Sequence, residues 1–227
     1  SDHDAKIWEE RTSNSAGSVS SRWTTKATLT EARRAVSCLE FAPRHWGLKL
    51  AVGSADGCVR IYEAIDIMNL AQWPLAATLQ AFEGNKLGCT CLSWCTGRFE
   101  PPTLVVGGSH LIVYRYSDTA RAWQPLMQLP APNKGDVLDV AWSPNVGRRF
   151  HYISSAEDQQ LRIYKLNRVM TTTSTSSEGS ADDKGTAKKS ESHDDQLSLM
   201  SSQTVPANAW RCQWNVTGTV LASSGDG

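Results

Sequence analysis

No run in the 227-residue chain approaches the roughly 18 consecutive apolar residues that a membrane helix needs. An excess of either charge is also missing, because 23 Lys and Arg meet 23 Asp and Glu. That balance argues against the broad basic face that phosphate backbones attract. The opening Ser1-Asp2-His3-Asp4 is acidic and polar, unlike a signal peptide. Phosphate-cradling loops of the G-x-x-x-x-G-K-[ST] and G-x-G-x-x-G types are absent, as are H-E-x-x-H and G-x-S-x-G. Gly53-Ser54-Ala55-Asp56-Gly57 superficially resembles a nucleophile elbow, but its serine stands second in the run. The expectation is therefore a protein that is not an enzyme and carries no cofactor or metal.

Six cysteines, Cys38, Cys58, Cys89, Cys91, Cys95 and Cys212, lack the dense spacing of a small disulfide scaffold and read as reduced thiols. Cys89-x-Cys91-x-x-x-Cys95 lacks the two-residue knuckle and the fourth ligand of a zinc site, so buried thiols are expected there. His3, His45, His110, His151 and His193 do not cluster. Asn215-Val216-Thr217 matches a glycosylation acceptor, but a tight turn in a reduced protein disfavours its use. Arg148-Arg149 is expected to be a solvated loop tip rather than a nucleic-acid contact.

What is present is a repeat of about fifty residues. One series of strand-ending aromatics stands at Trp8, Tyr62, Tyr114 and Tyr164, spaced by 54, 52 and 50. A second stands at Phe41, Trp94, Trp142 and Trp214, with a long last gap. Between them lie turn residues and a third apolar strand, as in Leu50-Ala51-Val52 and Leu104-Val105-Val106. Asp2, Asp56 and Asp158 precede their terminal aromatics by six residues and can accept backbone N–H bonds in the turn; Asp226 holds the matching place near residue 227. The unit ending at Tyr114 has Gly108 there, which predicts a looser turn. A single such sheet cannot cover both faces, whereas radial stacking can. The pattern predicts an all-β, WD-repeat β-propeller arc, although no unit keeps the Trp-Asp or Gly-His pair.

The spacing predicts this organisation: the end of a blade over 1–10, a polar loop and lead-in over 11–29, and blades over 30–64, 65–116 and 117–168. A disordered Ser/Thr-rich loop is expected over 169–200, and the start of a last blade over 201–227. Both chain ends fall inside units, so the chain is expected to be a fragment with exposed sheet faces.

The stretches Phe41-Ala42-Pro43-Arg44-His45-Trp46-Gly47, Met68-Asn69-Leu70-Ala71-Gln72-Trp73 and Trp214-Asn215-Val216-Thr217-Gly218-Thr219 resemble the Seh-type WD-repeat nucleoporins. The resemblance runs from about Asp2 to Gly227, broken at the two polar stretches. It implies a six-bladed propeller left open in its own chain, here from the end of the second blade into the sixth. It implies an α-solenoid nucleoporin partner that completes the ring, and other subunits of the Y-shaped nuclear pore complex. The implied role is a scaffold at the nuclear envelope that supports pore assembly and transport of protein and mRNA. The alternatives it leaves are an adaptor among GATOR subunits at the lysosome or vacuole, or a vesicle-coat propeller. Neither nucleic acid nor a membrane span is implied, and the partner interface is not placed on residues of this chain.

Overall fold

The computed structural model describes residues 3–15, 18–84, 87–130, 135–157, 160–172 and 193–225. Asp2, Asp158 and Asp226, three of the expected repeat positions, lie outside the described residues. Strands β1 (Ala5–Ser15) and β2 (Ser18–Leu29) pair as an antiparallel ribbon. Three four-stranded sheets follow, each built in chain order and antiparallel throughout. The first holds β3 (Val36–Phe41), β4 (Lys49–Ser54), β5 (Cys58–Glu63) and β6 (Leu75–Gln80). The second holds β7 (Cys91–Trp94), β8 (Thr103–Gly107), β9 (Leu111–Ser117) and β10 (Ala122–Leu129). The third holds β11 (Val137–Trp142), β12 (Phe150–Glu157), β13 (Gln160–Thr172) and β14 (His193–Pro206). A last ribbon joins β15 (Arg211–Trp214) to β16 (Leu221–Ser224). The described residues contain no α-helix.

Burial explains why the sheets stack. Every residue of β8 is buried, and so are all but one of β4 and of β5. A strand with no exposed side must be covered on both faces of its sheet. The edge strand β3 alternates instead, running half-buried, exposed, half-buried along its length. The apolar side chains collect in four layers between successive elements. Ala5, Ile7 and Leu29 of the first ribbon pack on Leu50, Val52, Tyr62 and Trp73. Val59, Ile61 and Leu79 meet Leu92, Trp94 and Leu104 between the first and second sheets. Val105, Val113 and Leu129 meet Val140, Trp142 and Ile153 between the second and third. Ala156 and Leu161 meet Ala209 and Cys212 beyond that. The first strands β3, β7, β11 and β15 touch in series. Among the described residues the arrangement is an all-β, incomplete WD-repeat propeller with no closed barrel.

Each sheet continues past its terminal aromatic. The first runs from Val36 to Gln80, the second from Cys91 to Leu129 and the third from Val137 to Pro206. Fourth strands therefore lie beyond residues 64, 116 and 168, where the spacing alone ends each unit. Their sequences conceal them: β6 fully buries only Leu79, and bulges interrupt the alternation of β6 and β10. The polar stretch 11–29 is likewise largely strand, with Trp23-Thr24-Thr25 paired to β1. Its hydroxylated, β-branched residues suit an edge ribbon with one wet face. Within the expected loop over 169–200, residues 173–192 lie outside the described residues, while His193 onward pairs with β13.

Candidate interaction surface

Two recurring hydrogen bonds fix each sheet on the one before it. The first uses the terminal tyrosines. Tyr114 donates its hydroxyl to the main-chain carbonyl of Gln80 at 3.5 Å, and Tyr164 to that of Pro130 at 3.1 Å. Tyr62 reaches Glu31 Oε2 at 2.8 Å. All three are buried, so the phenol needs such an acceptor. The second uses the inner-strand tryptophans. Trp94 Nε1 donates to the carbonyl of Glu40 at 3.0 Å, and Trp214 Nε1 to that of Ala141 at 3.2 Å. Trp142 departs from this pattern, its indole lying 3.4 Å from His151 Nδ1. Its main-chain N–H goes to Ser93 Oγ at 3.1 Å instead.

The expected repeat positions divide by place. Tyr62, Trp94, Tyr114, Trp142 and Tyr164 are buried. Trp8 and Phe41, at 52% and 51% exposure, and the half-buried Trp214 lie toward the ends of the stack. Asp56 accepts the N–H of Cys58 at 3.0 Å and of Arg33 at 3.0 Å, and pairs with Arg60 at 2.8 Å. Burial opposes its charge, but these hydrogen bonds prevail and bring its carboxyl down to about 2. At the equivalent place Gly108 closes its turn through the main chain, donating to the carbonyl of His110 at 3.1 Å. A Cβ there would lie 2.5 Å from Gly88 O and 2.7 Å from Phe82 Cε2, so only glycine lets these backbones meet.

The inner strands line a cleft of about 640 Å³ that holds Glu40, Ser93, Asp139, Trp142, Arg211 and Trp214. Desolvation raises the Glu40 carboxyl to about 7, against the N–H of Trp94 at 3.2 Å and the hydroxyl of Ser93; Asp139 adds to the rise. Burial also raises Asp139, whose carboxylate accepts the N–H of Cys212 at 2.9 Å. Both acids thus accept main-chain N–H groups from the next sheet. Among the described residues no His, Cys, Asp and Glu group could hold a metal ion. Cys89, Cys91 and Cys95 are buried free thiols.

Sequence reasoning missed Glu40, Ser93 and Asp139, whose partners stand some fifty to seventy residues away. It also misplaced Arg148. Rather than a solvated tip, Arg148 donates to Gly218 O at 2.9 Å and Pro144 O at 2.8 Å, with Tyr152 5.4 Å from its guanidinium. It fastens the last ribbon to the third sheet, whereas Arg149 is exposed.

Strand edges and exposed apolar side chains gather at the two ends of the described stack. Among the described residues β1 pairs only with β2, and β16 only with β15, so each offers a strand edge. Trp8 and Trp23 are exposed on the first ribbon, and Trp210 and Val220 flank the strands of the last. A third apolar feature is the connection between β5 and β6. It exposes Ile65, Ile67 and Met68 on a turn held by Asp66 Oδ1, which accepts the N–H of Met68 at 2.8 Å.

No family model matches the chain. The chain is similar to Nucleoporin SEH1-B of Xenopus laevis, Nucleoporin SEH1 of Danio rerio and Nucleoporin SEH1 of Homo sapiens. Identity is 35% in each case, over 99% of this chain. The chain spans about three fifths of these relatives, 61%, 60% and 61% of their lengths.

Proposed function

We propose, for a chain that belongs with the Seh-type WD-repeat nucleoporins, that it forms part of a non-enzymatic propeller scaffold of the nuclear pore. On this reading each four-stranded sheet is a blade, and the two ribbons belong to flanking blades. The observation that carries the reading is the run of stacked four-stranded sheets tied through Tyr114, Tyr164 and Trp94. An open propeller accepts a further blade through main-chain hydrogen bonds at a strand edge and through cover of its apolar faces. The occupant is an α-solenoid nucleoporin of the Y-shaped complex, whose inserted strands complete the ring. An interface of that kind is obligate and apolar.

The reading is tested by imaging the tagged full-length protein in cells. Fluorescence concentrated at the nuclear rim supports it. Signal confined to the lysosomal or vacuolar surface assigns the protein to GATOR, and signal on vesicle coats assigns it to that machinery; either result overturns the pore reading.

A further inference from the structure

Two sulfurs meet at the junction of the first and second sheets. Cys38 Sγ on β3 lies 3.7 Å from Cys89 Sγ, just before β7. Both cysteines are tied to the same strand. Cys38 stands opposite Gly53 in the β3–β4 register, and Cys89 donates its N–H to the carbonyl of Ser54 at 3.1 Å. The Ser37 hydroxyl also donates to the carbonyl of Cys89, pinning the two segments directly. The space between the sulfurs is made by Gly53, where an added Cβ would lie 2.5 Å from one and 2.6 Å from the other. Any larger residue at 53 would push the thiols from their places.

We propose that Cys38 and Cys89 form a redox-modification site that closes to an inter-sheet disulfide when a hydroperoxide oxidises Cys38. The order of events follows from exposure. Cys38 is the more exposed of the two, half-buried, while Cys89 is fully buried. The hydrogen bond with Cys38 and burial both push the Cys89 thiol up. The Cys38 thiolate attacks one peroxide oxygen; an S–O bond forms and the O–O bond breaks. The departing oxygen takes the proton that Cys38 gave up, leaving a sulfenic acid. Cys89 sulfur then attacks Cys38 sulfur; the S–S bond forms, the S–O bond breaks, and water leaves with the Cys89 proton. The two thiols together lose two electrons, which the peroxide accepts. The sulfurs must approach from 3.7 Å to about 2.05 Å. The remaining thiols are placed otherwise: Cys58 donates to Gln80 Oε1 at 2.9 Å, and Cys212 contacts Ser154.

The test treats the reduced full-length protein with hydrogen peroxide, blocks remaining thiols, and maps peptides by mass spectrometry. The expected result is a Cys38–Cys89 linked peptide, lighter by two hydrogens and restored by dithiothreitol. In Cys89→Ser the oxidation should stop at a Cys38 sulfenic acid captured by dimedone. Cys38→Ser should form no link, with its fold checked by its circular dichroism spectrum. If either variant misfolds, the wild-type peptide map alone decides. A link between other cysteines, sulfinic acid at Cys38 with Cys89 still open to alkylation, or unreacted Cys38 would each overturn the proposal.

Discussion

The indole Nε1 of Trp94 donates to the main-chain carbonyl of Glu40 at 3.0 Å across 54 residues of sequence, and the side-chain carboxylate of the same Glu40 accepts the Trp94 N–H at 3.2 Å. One residue pair thus joins two sheets twice. Trp94→Phe keeps most of the ring but removes the indole donor, leaving a carbonyl without that partner. The expected loss is about 1–3 kcal/mol, read as a lower midpoint of urea unfolding. Trp94→Ala should cost about 3–5 kcal/mol because the side chain is fully buried. Trp8→Ala, at a half-exposed ring, should move the midpoint of the same chain far less.

The ion pair of Asp56 and Arg60 is buried, with side-chain exposures of 8% and 6%. Arg60→Met strands the Asp56 carboxylate and should cost about 3–5 kcal/mol, whereas the double change to apolar residues should recover part of that loss. Asp56 is held at about 2, below its ordinary 3.8. Its stabilisation is therefore complete above pH 3.8 and fades as pH falls toward 2. Acid unfolding of Asp56→Asn should show a shallower slope in that window.

Glu40 runs in the opposite sense. Burial lifts it from 4.5 to about 7, so the folded chain holds a proton that the unfolded chain has released. Stability should fall as pH rises from 4.5 to about 7 through this group. Glu40→Gln keeps the acceptor oxygen near Trp94 without the charge, and its denaturation midpoint should vary less over that range. A variant that tracks wild type across the range would contradict the assignment.

Gly57 holds φ +84° in the turn between β4 and β5, and its carbonyl accepts the N–H groups of Ala81 and Phe82 at 3.0 Å each. A Cβ there would press into the Phe82 carbonyl oxygen. Gly57→Ala should therefore lower stability by more than about 1 kcal/mol, seen as an earlier thermal midpoint.

The repeat was legible because its anchors are local. Tyr62, Tyr114 and Tyr164 each end a short apolar strand after a turn, and burial follows from that shared place. The same pattern at Trp8 and Phe41 gave no warning of exposure, since coverage depends on what lies beside a sheet. The cap of Asp56 on Cys58 was readable from two positions two residues apart. Its pairing with Arg60, four residues on, lay within reach of the same reasoning. The links from Glu40 to Trp94 and from Asp139 to Cys212 were not, because strand spacing does not say which sheets become neighbours. Three or four strands per unit are expected from the sequence, but the fourth strands β6, β10 and β14 could not be placed because they carry few buried residues and several bulges.

The most direct test of the scaffold account is recovery of the full-length protein with and without an α-solenoid nucleoporin of the Y-shaped complex. Co-expression should yield a one-to-one complex in size-exclusion chromatography with light scattering, while the protein expressed alone should be poorly soluble. A stable, monodisperse monomer that passes the column unbound beside the solenoid would contradict it.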